Sequence, residues 1–582
     1  MSENFFLDNP DLQFRLDHLD LREVVDRKER GYADADRHPG APRNYADAID
    51  SFRIVLDVLG GVCGERVAPR AAEADEEGAH YEGGDVTYAA ATHDAIAALR
   101  QAELFGAMLG REFGGLNLPE SIYQMMVEVV ARAESGLMTV YGLQEVASLI
   151  EENADPETKA RILPRFARGE VSGAMVLTEA DAGSDLGAVA TRATLDETTG
   201  RWRLNGVKRF ITNGIADVSL VLARSEEGST DARGLSMFIV ERDDSVRIRR
   251  IENKLGLHAS PTCEIQYNDT PAILVGKRRF GLMRYAMNLM NGARLAVAAQ
   301  ALGIAEAAFR EADQYAHERI QFGKPIRALP AVARLLLSMT VDLQATRAIL
   351  AEAGQWVDLW KVGERELAEG GTDVDPEARA RHKQAQALAE TLTPMVKYGA
   401  TEMGNRVCSQ ALQVHGGVGY MHEFNIERLF RDVRVTNIYE GTSQLQVVAA
   451  IGKLLNRSLD PLLAGWRAGS YPAQLAAERA ILDELTDLFD RAVEALKAVP
   501  ERERVDYYAV DLVEMAVGIT GGWLLLRDAA IAEHKEPVAR AYIASLAPRV
   551  RALGEVVLAA DSTPLDAISI LVAPGGRAEG PG

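Results

Sequence analysis

The order of sequence patterns along the chain predicts an α+β protein in which helices and strands are segregated. Apolar residues recur at three- and four-residue spacing up to residue 170, and short runs rich in β-branched and aromatic residues follow over 171–281. Helical spacing then returns from residue 282. Because the two patterns do not alternate, we expect an N-terminal helical domain, a middle antiparallel β domain and a C-terminal helical bundle. Further helices are expected as an appended domain.

The N-terminal domain, 1–170, is predicted to contain amphipathic helices at 47–62, 90–109 and 120–135, where small and charged residues separate the apolar ones. In the middle domain, Gly, Asp, Asn and Ser punctuate runs such as WRLNGVKRFITNG and LSMFIVERD. That punctuation is typical of a compact antiparallel sheet.

The C-terminal domain, 282–455, begins soon before a long Ala-rich stretch and is expected to form a four-helix bundle. Its charged, Gly-containing segment at 362–383 predicts a solvated connection between two long helices. An extra helical domain is predicted at 456–573, and the Gly- and Pro-rich tail at 574–582 is expected to be disordered.

Composition excludes several classes of function. The chain has 582 residues, with 64 Lys and Arg against 85 Asp and Glu, and this net charge of −21 repels nucleic acid. Its three cysteines form no CxxC pair, so neither a disulfide framework nor a metal site is indicated. Without a signal-like start or an uninterrupted apolar run of about 18 residues, we expect a reduced cytoplasmic protein.

Two segments near the predicted sheet have residues suited to a cofactor. In TEADAGSD, Thr178, Ser184 and the backbone of a Gly-containing turn present donors to an anionic or polar group. In KRFITNG, alternation along a strand places Phe210 and Thr212 on one face, where they could cover a flat aromatic ligand. The alternatives are an ordinary surface turn and a half-buried strand ending in an Asn-Gly turn.

Two further segments lie in the predicted bundle. Arg319, in RIQFGK, either complements the dipole of its own helix or pairs with a phosphate. The segment 413–444 contains the glycines of HGGVGY, which allow close approach of a ligand, and then charged residues that predict an ion-pair network. Glu440 follows among apolar neighbours, where desolvation would raise its pKa and suit it to act as a general base. A solvated surface glutamate is the alternative.

Together, the order and spacing of these four segments resemble those of the acyl-CoA dehydrogenase family of flavoproteins over roughly Tyr45 to Leu455. The resemblance implies FAD-dependent α,β-dehydrogenation of an acyl-CoA thioester to the trans-2-enoyl-CoA, with electrons passed to electron-transferring flavoprotein. One alternative is an acyl-CoA oxidase or related flavin enzyme that uses oxygen. Another is a non-catalytic protein that reuses the fold.

The resemblance also implies roles for individual residues. Glu440 would remove the substrate α-proton, since Gly292 and Ala293, where some members place their base, cannot do so. Six residues would bind the FAD of the same subunit: Thr178, Ser184, Phe210, Thr212, Thr442 and Gln444. Four others would reach the FAD of a neighbouring subunit: Arg319, Phe322, Gln413 and Gly417. Acyl-CoA would be contacted by Asn291, Arg294 and Gly441.

Several departures from short members suggest a longer branch of the family. Phe210 replaces a common tryptophan, Leu329-Pro330 replaces a His-Gln pair, and Gly452 stands where a substrate-side arginine is frequent. With the appended helices, these features imply a homodimer rather than a tetramer. Apolar stripes at 472–492 and 511–533 would then pack on each other or on the bundle. Membrane docking is the alternative, disfavoured because no Lys/Arg-rich polar face accompanies them.

Overall fold

The structure, a computed structural model, describes residues 3–370 and 375–571. Helices dominate the region before residue 170, as the apolar spacing predicts. They are α1 (Pro10–His18), α2 (Arg22–Lys28), α3 (Tyr45–Val62), α4 (Ala71–Glu77), α5 (Ala90–Gln101), α6 (Glu120–Ala133), α7 (Ser135–Gly142), α8 (Glu145–Asn153) and α9 (Pro156–Ala167). A two-stranded hairpin, β1 (His80–Glu82) and β2 (Asp85–Thr87), interrupts them and was not predicted.

The predicted helices at 47–62 and 120–135 are confirmed by α3 and α6, whereas the one at 90–109 ends already at Gln101. Local capping explains where α3 begins, because the side chain of Asn44 accepts a hydrogen bond from the N–H of Asp47 at 3.1 Å. Helix α6 is buried along nearly its whole length and packs on the helices of the C-terminal bundle.

The middle region is a seven-stranded sheet that curls until β7 pairs with both β6 and β9. Its strands are β3 (Gly173–Val176), β4 (Arg192–Asp196), β5 (Arg201–Thr212), β6 (Val218–Arg224), β7 (Leu235–Glu241), β8 (Val246–Ile251) and β9 (Thr262–Leu274). The antiparallel prediction is correct for most pairs but wrong for β6, which runs parallel to β3 and, over one residue pair, to β4. The intervening β4–β5 hairpin supplies the long crossover that a parallel pair needs.

The C-terminal helices are α10 (Met287–Glu318), α11 (Pro330–Gly370), α12 (Pro376–His415), α13 (Ile426–Val433) and α14 (Ser443–Leu455). A short hairpin, β10 (Ile320–Gln321) and β11 (Lys324–Pro325), joins α10 to α11. The predicted solvated connection at 362–383 is wrong for most of its length, because α11 continues to Gly370 and α12 begins at Pro376. The Asp375 carboxylate accepts the N–H of Glu377, and Pro376 suits the first helical position. Residues 371–374 lie outside the described residues.

The appended helices are α15 (Asp460–Ala468), α16 (Ala476–Lys497), α17 (Arg502–Ile531), α18 (Glu536–Ala559) and α19 (Thr563–Leu571). Helices α16–α18 pack on one another, and α17 also covers α11, α12 and α14. Within the described chain, α17 is the one helix long and apolar enough to cross a membrane, but 78% of its apolar window is buried, as in a core helix. The tail predicted at 574–582 lies outside the described residues.

Candidate active site

Glu440 lies in the turn that precedes α14. It lines a cavity where the N-terminal helices, the middle sheet and the C-terminal bundle meet. Thr212 from β5 and Tyr439 line the same cavity. The remaining wall is mostly apolar and comes from α7, α8, β3, α10 and the adjoining loops. Its apolar residues are Met138, Leu143, Val146, Met175, Leu289, Ala293, Ala296 and Val297. The fold therefore brings the predicted base to an apolar chamber beside the sheet.

The turn that holds Glu440 has an unusual backbone. Glu440 has φ 54° and Gly441 has φ 89°, a left-handed conformation that non-glycine residues rarely adopt. The amide of Gln446 donates to the carbonyl oxygens of Glu440 at 3.1 Å and Gly441 at 2.9 Å. The Lys397 ammonium donates to the same Gly441 oxygen at 2.8 Å. These bonds fix the turn and compensate its strain.

Two buried cations lie near the Glu440 carboxylate. Burial raises the pKa of Glu440, and the charges of Lys397 and Arg294 partly oppose that rise. Burial also lowers the pKa of Lys397 to about 7, although Glu440 works in the other direction. Burial lowers the pKa of Arg294 as well; its Nη1 donates to Asn291 Oδ1 at 3.1 Å, and its Nε has no partner among the described residues. A carboxylate with a raised pKa is suited to general-base chemistry near neutral pH.

Thr178 and Phe210 lie close together because hydrogen bonds and a buried ion pair join the segment after β3 to β5. The Lys208 ammonium is fully buried, donates to the Leu177 carbonyl at 2.7 Å and pairs with Glu179 at 2.9 Å. The backbone N–H of Arg209 donates to the carbonyl of Thr178 at 3.0 Å. The first two residues of TEADAGSD therefore lie beside the strand segment that was predicted to contact a ligand.

The alternation argument for Phe210 and Thr212 is wrong in its reason. A bulge shifts the register of β5 between Lys208 and Ile211, and Phe210 adopts φ 59° within it. The Phe210 ring is nevertheless 52% exposed at the edge of the sheet, while Thr212 lines the Glu440 cavity. An exposed aromatic ring and two hydroxyls in one region fit a flat group with polar edges, as the isoalloxazine of FAD has.

The other predicted cofactor residues of this region lie towards solvent or cap a helix. Ser184 is exposed in its turn, beyond Thr178. The Thr442 hydroxyl accepts the N–H of Leu445 at 3.4 Å and caps α14, and Gln444 is exposed on the first turn of that helix. Gly441 forms the turn itself. These positions leave Ser184 and Gln444 free for a ligand and give Thr442 a structural role besides any contact with one.

The predicted residues Arg319, Phe322, Gln413 and Gly417 do not lie at the Glu440 cavity. Along α10, twenty-five residues separate Arg294 from Arg319, which at about 1.5 Å per residue is about 37 Å. Tyr315 stacks on His415 with ring centroids 4.6 Å apart, so the β10–β11 hairpin and the turn after α12 share one end of the bundle. All four residues are exposed there, Phe322 by 89%.

The ion-pair network predicted around 427–432 is confirmed and is structural. Arg431 pairs with Glu427 at 2.7 Å and also with Asp75 at 2.7 Å, while Arg428 lies 3.9 Å from Asp432. Asp432 in turn accepts a hydrogen bond from the backbone N–H of Leu257, in the loop between β8 and β9, at 2.7 Å. The network joins α13 to the N-terminal and middle regions.

Sequence reasoning missed three residues at the site, namely Lys397, Gln446 and Glu145. Lys397 follows the buried residues TLTPMV inside α12, where a charged residue in a largely apolar stretch of helix is a usable signal. Glu145 lines the Glu440 cavity from the first turn of α8. No local pattern distinguishes Glu145 from the other glutamates of that helix.

Comparison with known proteins agrees with this architecture. Models of the acyl-CoA dehydrogenase N-terminal, middle and C-terminal domains match residues 52–170, 174–270 and 295–444. The 3-methylmercaptopropionyl-CoA dehydrogenase of Ruegeria pomeroyi is 32% identical, over 83% of this chain and 86% of the relative. The butyryl-CoA dehydrogenase of Syntrophomonas wolfei is 25% identical, over 97% of this chain and 98% of the relative.

Solved structures show the same fold. The butyryl-CoA dehydrogenase of Megasphaera elsdenii has a TM-score of 0.58 and 28% identity, over 69% of this chain and 98% of that one. An acyl-CoA dehydrogenase of Bacillus anthracis, solved in complex with FAD, has a TM-score of 0.73 over 88% of each chain, at 22% identity. The chain thus belongs to the acyl-CoA dehydrogenase family, the FAD-dependent oxidoreductases that act on the CH–CH bonds of acyl-CoA thioesters.

Proposed function

We propose that this protein oxidises a saturated acyl-CoA to the trans-2-enoyl-CoA and passes the electrons to electron-transferring flavoprotein. The observation that carries the proposal is the position of Glu440. Its carboxylate lines an apolar cavity with Thr212, and bonds from Gln446 and Lys397 fix its turn. A desolvated carboxylate in such a chamber supports removal of a weakly acidic proton next to a thioester carbonyl.

In this reaction Glu440 accepts the α-proton of the substrate, and its carboxyl group holds that proton after the step. Bound FAD would supply the acceptor for the β-hydrogen and its electron pair, and a double bond would then form between the two carbons. The fixed turn orients the Glu440 side chain, and we assign its backbone N–H to the thioester oxygen, where negative charge develops.

The electrostatics of the site support this division of roles. Burial keeps the pKa of Glu440 above that of an ordinary glutamate, so the carboxylate is a stronger base than one in water. The nearby charges of Lys397 and Arg294 oppose that shift and favour the ionised carboxylate. The apolar walls exclude water from the α-carbon.

The distance between the two groups of predicted residues supports an FAD site shared by two subunits. Arg319, which caps α10, lies about 37 Å along that helix from Arg294 at the Glu440 end, and Phe322 lies in the hairpin beyond it. We therefore assign them, with Gln413 and Gly417, to the FAD of the partner in a homodimer. A cytoplasmic location stays a prediction.

Turnover assays with the purified holoenzyme test this function. With an artificial electron acceptor and acyl-CoAs of several chain lengths, mass spectrometry should detect loss of two hydrogens from the acyl group. Turnover should also reduce purified electron-transferring flavoprotein and should consume little oxygen. Rapid oxygen consumption with peroxide formation would show an acyl-CoA oxidase instead, and a protein that binds FAD but oxidises no acyl-CoA would contradict the proposal.

A further inference from the structure

A second carboxyl group lies in the wall of the Glu440 cavity. Glu145 is only 7% exposed, and its Oε1 has no hydrogen-bond partner among the described residues. It lines the cavity together with Glu440, between the apolar side chains of Leu143 and Val146. Buried carboxyl oxygens are nearly always hydrogen-bonded in proteins, so this oxygen has capacity left for a ligand.

The facing helix has two small residues beside Glu145. Gly292 lies opposite on α10, and a Cβ added there would come within 3.1 Å of Oε2 of Glu145. Ala293, the next residue, lines the cavity too. These two small residues leave space between α8 and α10, and a larger side chain at 292 would cover the carboxyl group.

Glu145 also marks a change in the character of the cavity wall. Together with Leu289 it lines a second, adjoining pocket on the side away from Glu440. That pocket contains Asn288, Asn291, Glu152 and Lys361. The wall is therefore mostly apolar between Glu440 and Glu145, whereas the pocket beyond Glu145 combines these polar residues with apolar ones such as Leu149, Val357 and Trp360.

The charged neighbours of Glu145 do not supply its missing partner. The Lys361 ammonium pairs with Glu120 at 2.6 Å, and Glu120 also accepts the amide of Gln124 at 2.7 Å. Burial and the Glu120 charge raise the pKa of Glu145 well above its usual range, with Lys361 opposing and Glu440 adding to the rise. A neutral carboxyl group at this position can donate a hydrogen bond.

On the basis of the proposed function, we propose that Glu145 determines substrate specificity by donating a hydrogen bond to a neutral oxygen in the acyl chain, beyond the β-carbon. The preferred substrate class is then an acyl-CoA with an ether or hydroxyl oxygen in its tail, rather than a plain alkyl chain. An alkyl tail would leave the buried carboxyl unpaired, which a site built for hydrogen bonding disfavours.

Matched substrates and variants test this role. The substrates are hexanoyl-, heptanoyl- and octanoyl-CoA and their ether analogues, in which oxygen replaces one methylene at the fifth, sixth or seventh chain atom. The measured quantity is the ratio of kcat/KM for each ether to that for its alkyl counterpart. Glu145→Met removes the donor at similar length, and Glu145→Gln keeps a donor.

The wild-type protein should prefer at least one ether, and Glu145→Met should lower that ratio by about tenfold, the discrimination expected of one hydrogen bond. Glu145→Gln should retain the preference. A wild-type protein that prefers the alkyl chain at every position, or a Glu145→Met protein with an unchanged ratio, would overturn the proposal. Turnover of the alkyl substrates by the wild-type protein reports on the proposed function separately, because it depends on Glu440 and needs no oxygen in the acyl tail.

Discussion

The protein buries two clusters of charge that differ in how completely they are paired. In the first, around Arg347, cations and carboxylates satisfy one another between the N-terminal helices, the bundle and the appended helices. In the second, around Glu440, the Lys397 ammonium and the Gln446 amide hold the backbone of a turn, while Glu440 itself lines a cavity. The comparison teaches that burial of charge alone does not identify an active site, whereas a buried charge left open to a cavity does.

The Arg347 cluster illustrates the paired case. Its guanidinium contacts Glu128 at 2.6 Å and Glu306 at 2.9 Å, and also Asp11 on α1. Asp11 further pairs with Lys535, which precedes α18. Burial alone would raise the pKa of Asp11, but the surrounding cations bring it down to about 2. The cluster therefore connects three regions and has no carboxylate available for chemistry.

The largest effect on stability is expected from breaking the paired cluster. Arg347→Met would leave three buried carboxylates without their shared cation, and removal of one partner from a buried pair typically costs about 3–5 kcal/mol. Urea unfolding of the variant and the wild-type protein measures this loss. A variant that unfolds at the wild-type urea concentration would show that the cluster contributes nothing to stability.

Lys397→Met should act mainly on turnover. The variant loses the bond to the Gly441 carbonyl and one of the charges that lower the pKa of Glu440. Because the Glu440 carboxylate would then be less well positioned, kcat should fall about 10- to 100-fold. The pH at which activity rises should also move to a higher value. Lys383→Met, an exposed lysine on the same helix, is the control. Normal kcat with an unshifted pH profile would contradict the positioning role of Lys397.

Arg319→Ala tests the exposed group of predicted residues. If this arginine binds the FAD of the partner subunit, its removal should weaken FAD retention by about tenfold, the value of one charge-assisted contact, and should loosen the dimer. Flavin content after gel filtration and light scattering measure the two effects. Arg247→Ala, an exposed arginine on β8, is the control. If the Arg319→Ala protein is a dimer with its full content of FAD, Arg319 does not bind the partner's FAD and only caps its own helix.

The two clusters should also differ in how their contributions to stability respond to pH. Lys397 titrates at about 7 in the folded protein but near 10.4 when unfolded, so the unfolded chain binds more protons between these values and stability rises with pH there. For Asp11, stability is present above its unfolded pKa and is lost as the pH falls towards 2. Lys397→Met should therefore flatten the rise in unfolding free energy between pH 7 and 9. An equal rise in both proteins would contradict the assignment.

Periodicity predicted most of the fold, because a helical face and a strand run leave direct traces in the sequence. It failed where the local context decides, as at 362–370 and 376–383, where charged residues extend two long helices. It also could not foresee the parallel pairing of β3 with β6, which depends on how the intervening hairpin folds back.

At the site, family-like spacing identified Glu440 as the residue that lines the cavity with Thr212. It could not identify Glu145 or Lys397. Neither residue lies within a recognised segment, and each reaches the site only because distant helices pack together. The bulge at Phe210 was equally invisible, since it breaks the alternation from which its orientation was argued.

The central claim is that Glu440 removes the α-proton, and the most direct test compares Glu440→Gln with Glu423→Gln, an exposed glutamate in the preceding turn. Turnover of acyl-CoA and urea unfolding are measured on both holoproteins. Glu440→Gln should lose about 10²- to 10⁴-fold in kcat, the usual cost of removing a general base, while it binds FAD and unfolds like the wild-type protein. Glu423→Gln should be normal in both. A Glu440→Gln protein that retains more than about a tenth of wild-type kcat, well short of that cost, would contradict the account.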